Sequence, residues 1–317
     1  MKGINIYIKQ ILFTMGMGVM LFAYSNSFAQ TEPMYSQYMY NMLGVNPAYA
    51  GNREVTSFNF FQRKQWVGLE GAPQTTSVSV DNAIYNKKAG WGVQMYDDKL
   101  GVEKADGINL MTATRIRVSQ NGILSGGLTF GLMNYRIDLI NVANRYTTSD
   151  PAFYSNFNKW TPSIGLGLYY NTDNFYAGIS IPNVLKSRLS AFDIMKSGLQ
   201  KVNAKHLFLT TGFVYTLNEE VKIKPSTMIK IVQGAPIEAD LNTNVWFHDL
   251  ISVGVSYRTG DAIIGMAEIQ ANDNIRFGYA YDVTLSPLKY YNNGSHEFMI
   301  RYEFGNTKTK VKSTRYF

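Results

Sequence analysis

Apolar side chains recur at every second residue over long stretches of this chain. Ile164, Leu166, Leu168 and Tyr170 alternate with Ser163, Gly165, Gly167 and Tyr169. Ile251, Val253, Val255 and Tyr257 alternate with Ser252, Gly254, Ser256 and Arg258. Phe298, Ile300, Tyr302 and Phe304 alternate with Glu297, Met299, Arg301 and Glu303. Successive side chains of a β-strand point to opposite faces, so the pattern specifies strands with one apolar and one small or polar face. Two architectures accept such strands. In a soluble sandwich the apolar face meets a protein core. In an outer-membrane barrel it meets lipid, and the polar face lines a lumen.

Strand length favours the barrel. Many runs match the roughly 9–11 residues of a tilted spanning strand, whereas sandwich strands average nearer five or six. Tyr169-Tyr170, Phe175-Tyr176, Tyr279, Tyr281 and Tyr290-Tyr291 fall at strand ends, where membrane barrels carry aromatic girdles. The pattern predicts an all-β transmembrane barrel of about 14 antiparallel strands: 54–63, 75–82, 90–97, 107–118, 122–134, 160–171, 175–181, 205–217, 221–233, 236–247, 251–258, 261–270, 275–281 and 295–304. Short connections (119–121, 172–174, 218–220, 248–250) alternate with long ones (64–74, 98–106, 135–159, 182–204, 282–294). Short turns belong to the periplasmic end and long loops to the outside, which places both chain termini in the periplasm.

The first residues read as an export address. Lys2 and Lys9 precede an uncharged apolar stretch, Ile11 to Phe22, and Ser27-Phe28-Ala29 has the small residues of a cleavage site. The predicted division is a signal peptide over 1–29, a periplasmic N-terminal segment over 30–53, the barrel over 54–304 and a basic tail over 305–317. That tail is expected to be solvated or to dock in the periplasm. Beyond Gln30 no apolar run approaches the roughly 18 residues of a membrane helix. The expected location is the outer membrane, with membrane lipid as a partner.

Composition excludes several functions. The chain has no Cys, which removes disulfides, thiolate metal sites and cysteine nucleophiles. His206, His248 and His296 have no ligand spacing, and no GxSxG elbow, Walker loop or Rossmann unit occurs. No enzymatic activity, metal or cofactor is expected. The net charge of +7 is scattered and forms no basic stripe, so nucleic acid is not expected as a partner.

Charges on the polar faces point into the lumen, because Lys or Arg at mid-depth on the lipid side would cost about 2–4 kcal/mol. This assigns Arg115, Arg117, Lys222, Lys224, Glu238, Asp240 and Arg301 to the lumen, with Lys230, Arg258, Arg276, Glu297 and Glu303 beside them. The mixed signs predict ion pairs across the interior, either as structural filling or as a selective ion path.

Two non-barrel elements are distinctive. One is Pro33-Met34-Tyr35-Ser36-Gln37-Tyr38-Met39-Tyr40-Asn41 followed by Asn46-Pro47-Ala48-Tyr49-Ala50-Gly51. The other is Arg63-Lys64-Gln65-Trp66-Val67-Gly68-Leu69-Glu70-Gly71-Ala72-Pro73-Gln74-Thr75. With Gly90-Trp91-Gly92-Val93, Phe175 to Leu185 and the last strand, they resemble the PorP/SprF family of outer-membrane proteins from the Bacteroidota, from about residue 29 to about residue 304. The resemblance implies a non-enzymatic role in the type IX secretion system and the linked gliding machinery. It implies as partners other secretion components and one large adhesin-like secreted protein. A porin or FadL-like small-solute transporter would share the fold and is the alternative. Tyr35, Gln37, Tyr38, Asn46, Pro47 and Tyr49 are candidates to plug the periplasmic mouth or to dock a partner there. Arg63, Gln65, Trp66, Gly71 and Pro73 are candidates for contact with cargo outside, or for a packed loop.

Overall fold

The computed structural model describes residues 33–84, 87–140, 155–185, 205–232 and 235–304. The expected signal peptide and basic tail lie outside these residues. So do most of the expected outer loops 135–159 and 182–204.

Fourteen strands follow in chain order: β1 (Thr56–Lys64), β2 (Gln74–Ile84), β3 (Ala89–Leu100), β4 (Glu103–Arg117), β5 (Ile123–Ile137), β6 (Phe157–Asn171) and β7 (Phe175–Ile181), then β8 (His206–Phe213, resuming at Tyr215–Thr216), β9 (Val221–Val232), β10 (Glu238–Phe247), β11 (Ile251–Arg258), β12 (Ala262–Gln270), β13 (Ile275–Thr284) and β14 (Ser295–Phe304). Each pairs antiparallel with its sequence neighbours. β14 returns to β1 in register from Thr56↔Phe304 to Lys64↔His296 and closes the barrel. Closure is what lipid demands, because an open sheet edge there would leave N–H and C=O groups without water or partner.

The sequence alternation appears directly as burial. β12 alternates buried and exposed residues along nearly its whole length. Leu128, Phe130, Leu132, Val253, Val255 and Ile300 are among the large apolar side chains turned outward, where they form the lipid-facing belt. Ser57, Asn59, Ser79, Asn242 and Ser256 are turned inward and buried.

One connection differs from expectation. Residues 98–106 are not a long loop. β3 and β4 run on to Leu100 and Glu103 and meet in a two-residue turn, Gly101-Val102, with Gly101 at φ 58°. The charged residues that suggest a loop instead pair across the ladder. Asp97 lies opposite Asp106, and Lys104 bridges them at 2.5 and 3.3 Å, while Arg136 on β5 also reaches Asp106. Charge here marks strands that reach into water above the membrane.

The end carrying the connections 64–74, 137–157, 181–206 and 284–295 is assigned to the cell exterior, and the end with the tight turns to the periplasm. The natural absence of Cys makes this testable. Impermeant thiol labelling of intact cells is expected to modify Asn156→Cys and to spare Asn121→Cys; the reverse would invert the topology.

Candidate functional site

Residues 33–53 occupy the barrel interior. Two single 3-10 turns, Tyr38–Tyr40 and Pro47–Tyr49, flank one helical turn at Met42–Val45. Their side chains pack into one core cluster with inward wall residues such as Phe61, Tyr169, Tyr176 and Trp246. The direction of this segment is the main surprise. Arg53 lies at the periplasmic mouth beside Glu303, whereas Ser36 lies beside Arg63, Asp282 and Glu297 near the outer ends of β1, β13 and β14. The chain therefore runs through the lumen from the outer half to the periplasmic mouth before it enters β1.

Three sets of contacts hold it. At the outer end the Glu297 carboxylate accepts the backbone N–H groups of Ser36 (2.7 Å) and Gln37 (2.8 Å) and an Arg63 Nη1 bond at 3.1 Å. Arg63 Nη2 reaches Asp282 at 2.7 Å, and the Ser36 hydroxyl donates to the same carboxylate at 2.7 Å. The network continues through Arg258 to Asp240 (2.9 Å), and through Lys230 to Asp240 (3.1 Å) and Glu238 (2.5 Å). Opposite charges thus alternate in space, which buried ions require. At mid-lumen Arg301 donates to Asn59 Oδ1 (2.7 Å) and to the Tyr40 carbonyl, and the Tyr40 ring meets Trp246 edge-on. At the periplasmic end Gly51 N donates to Asp81 (2.8 Å), Arg53 Nε to Glu303 (2.6 Å), and Arg115 to the Ala50 carbonyl.

The Asn46 to Gly51 stretch seats on a wall that two glycines leave bare. A Cβ on Gly127 would lie 2.2 Å from Ala48 N, and one on Gly167 would lie 2.0 Å from Asn46 Oδ1. Both glycines are required for this close approach of segment to wall. With the wall so near, Asn46 Nδ2 reaches the Leu168 and Ile179 carbonyls (2.9 and 3.3 Å), while its Oδ1 caps the next turn through Ala48 N (3.0 Å). Burial raises the phenols of Tyr38, Tyr40 and Tyr49 above their ordinary range, so they act as neutral groups. Burial works against the Arg53 cation, but Glu303 and Tyr49 outweigh it and keep the guanidinium charged.

The candidate residues separate into groups. Tyr35, Gln37, Tyr38, Asn46, Pro47 and Tyr49 are all buried in the lumen, so none offers a side chain to a docking partner from the free surface. Arg63 is not a loop residue. β1 extends through Lys64, and parity turns Arg63 inward to its ion pairs, 1% exposed. Gln65, Trp66, Gly71 and Pro73 do lie on the outer loop. Backbone bonds tie that loop to its neighbours: Val67 N to Gly294 O (2.8 Å), Asn293 N to Val67 O (2.7 Å) and Gly101 N to Gly71 O (2.8 Å). Lys224, Asp240 and Arg301 are buried in the lumen, and Glu238 sits partly buried beside Lys230. Lys222 pairs with the half-exposed Asp249 at the periplasmic rim (2.7 Å), and Arg115 stands at that mouth. Arg117 has lumen parity but is exposed, because it is the last residue of β4 and has passed beyond the plugged interior. Ser36, Arg53, Asp81 and Asp282 went unnoticed as anchors; isolated carboxylates at strand ends were the available signal.

A closed, plugged, lipid-facing strand cylinder of this kind defines an outer-membrane β-barrel protein. The chain belongs to the PorP/SprF family of type IX secretion system membrane proteins, whose family model matches residues 27–302. No curated protein matches the chain. Among solved structures it is similar to Omp33 of Acinetobacter baumannii (8% identity, 79% of this chain and 99% of that one, TM-score 0.47). It is also similar to the CymD monoaromatic hydrocarbon channel (11%, 86% and 94%, TM-score 0.48) and to a Pseudomonas aeruginosa FadL homologue (10%, 79% and 89%, TM-score 0.44).

Two outcomes follow from the plug. Glu297→Ala takes one of its two carboxylates from Arg63 and strands two backbone donors, and is expected to lower the unfolding free energy by about 3–5 kcal/mol in urea titrations of vesicle-inserted protein. Gly127→Val is expected to displace the Asn46–Gly51 stretch and to open a steady conductance in planar bilayers, where the unsubstituted barrel stays at background.

Proposed function

We propose that this barrel serves type IX secretion as the outer-membrane partner of one or a few large surface proteins. Such cargo meets the barrel at its outer loops or rim, and a separate component provides the conduit. The observation that carries this reading is the lumen occupied by residues 33–53 from its outer half to the periplasmic mouth. Barrels of 16–18 strands leave only a solute channel even when empty, and this one has fewer strands and a plug. The fixed outer platform made by Gln65 to Pro73, locked to Gly101 and Asn293-Gly294, supports contact with cargo outside. The porin or FadL-like alternative needs a continuous path, and the ion-paired plug speaks against it. The linked gliding machinery is the expected context for an adhesin-like cargo.

Deletion of the gene, followed by surface proteolysis and mass spectrometry of intact cells, tests the reading. Loss of one or a few large surface proteins, with restoration by the intact gene, is the expected result. An unchanged surface proteome together with lost uptake of a specific solute would establish the transporter instead.

A further inference from the structure

The outward face of the wall changes its chemistry where the strands leave the membrane. Ile300, Phe60, Val78, Met95, Ile108 and Leu132 lie side by side across β14 and β1 to β5. All six are apolar and face lipid. Two residues farther toward the exterior, the same face carries Gln62, Thr76, Asp97 and Asp106. Carboxylates are not tolerated in hydrocarbon, so the hydrocarbon ends at this second row. Two residues farther again stand Lys64, Gln74, Lys99, Lys104 and Arg136, paired strand to strand from β1 to β5. Four residues of strand are about 13 Å, or roughly 9 Å of height at a tilt of about 45°, which carries this third row into the headgroup layer. His296 and Tyr281 continue the row onto β14 and β13, and aromatic rings of this kind mark the membrane interface.

The cations of the row are not equally served. Lys104 is taken up by Asp97 and Asp106, and Arg136 by Asp106. Lys64 and Lys99 make no ion pair among the described residues, and both are exposed, with the exposed Gln74 between them. Arg63, the neighbour of Lys64, faces the other way and is neutralised in the lumen. Lys99 lies directly opposite Lys104, a like-charge pair that destabilises a sheet unless an anion stands beside it. Adjacent strands set Lys64 and Lys99 about 10 Å apart, so two lysine side chains can converge on one anion over Gln74. Their bases are fixed. Gln65 N donates to Pro73 O (2.9 Å) just beyond the Lys64–Gln74 pair, and Gly101 N donates to Gly71 O (2.8 Å) just beyond Lys99.

We propose that Lys64, Gln74 and Lys99 bind the phosphate of a lipid in the outer leaflet. The two ammonium groups supply charge-assisted hydrogen bonds, and the Gln74 amide supplies a neutral donor between them. Position selects the ligand. The site lies on the outward face of the cylinder, where hydrocarbon gives way to headgroups, so the anion it meets belongs to a lipid whose chains lie against the exposed Val78 and Met95 below. Lysine suits this depth, because its stem lies along apolar surface while its ammonium group stays at the interface. A protein arriving from outside would meet the loop from Gln65 to Pro73 before it reached this face.

Native mass spectrometry of the detergent-purified full chain tests the site with three probes: phosphorylated lipid A, the same lipid after dephosphorylation, and inorganic phosphate. The expected result is an adduct with the phosphorylated lipid and about tenfold weaker binding of the dephosphorylated one. Lys64→Gln combined with Lys99→Gln is expected to weaken the phosphorylated adduct about tenfold, while Lys289→Gln on another outer loop leaves it unchanged. Heat-dependent gel mobility checks that each variant keeps the folded barrel. If the double variant fails to fold, the comparison of the two lipids on the unsubstituted chain decides. The inference is overturned if no adduct forms, if both lipids bind equally, or if the folded double variant binds as well as the unsubstituted chain. Inorganic phosphate that binds as tightly as the lipid would make this a site for a free anion. A dimer that the double substitution dissolves would make the row a contact between two copies. Either result also overturns it.

Discussion

The carboxylate of Glu297 sits where the chain can least tolerate an unpaired charge, and the lumen is arranged around it. It is fully buried and receives one guanidinium and two backbone N–H groups. Arg63, which supplies the guanidinium, is itself buried and needs the second carboxylate of Asp282. Asp282 in turn lies 3.6 Å from Arg258, and Arg258 meets Asp240. Each charge is acceptable because the next one is present, so the series behaves as one unit. The same logic fixes the outer end of residues 33–53. The backbone of Ser36 and Gln37 completes a shell that wall side chains alone leave open.

The wall opposite this network works without charge. Gly127 and Gly167 let backbone lie on backbone, and Asn46 then reaches carbonyls that are already part of the β6–β7 ladder. Carbonyl oxygens have two lone pairs, so they can accept from Asn46 without leaving their ladder bonds. Ion pairs hold one side of the plug, and close approach holds the other.

The strands were readable in the sequence because a period of two is a local, geometric property of extended chain. The alternation at Ile251–Arg258 or Phe298–Phe304 needs no knowledge of what lies elsewhere. Where strands leave the membrane the signal changes meaning, and Asp97, Lys104 and Asp106 look like a loop although they extend a ladder. Parity placed Arg117 in the lumen and could not register that β4 ends there. The path of residues 33–53 was not legible at all. Ser36 and Glu297 are 261 residues apart, and nothing near either of them encodes the other. A separation of 219 and 234 residues from its partners on β13 and β14 likewise hid Arg63, so the Arg63 to Thr75 element looked like one loop when it is a lumen anchor followed by an outer platform.

The place of Glu297 in the chain gives β14 a double role. Its backbone pairs with β1 to shut the cylinder, and its side chains Glu297, Arg301 and Glu303 grip a segment that was synthesised first. Shutting the wall and stoppering the interior therefore draw on one strand and belong to one assembly event. A chain that stops before β14 has an open wall and a stopper without its outer anchor, so an incomplete barrel is marked at the wall and at the stopper together.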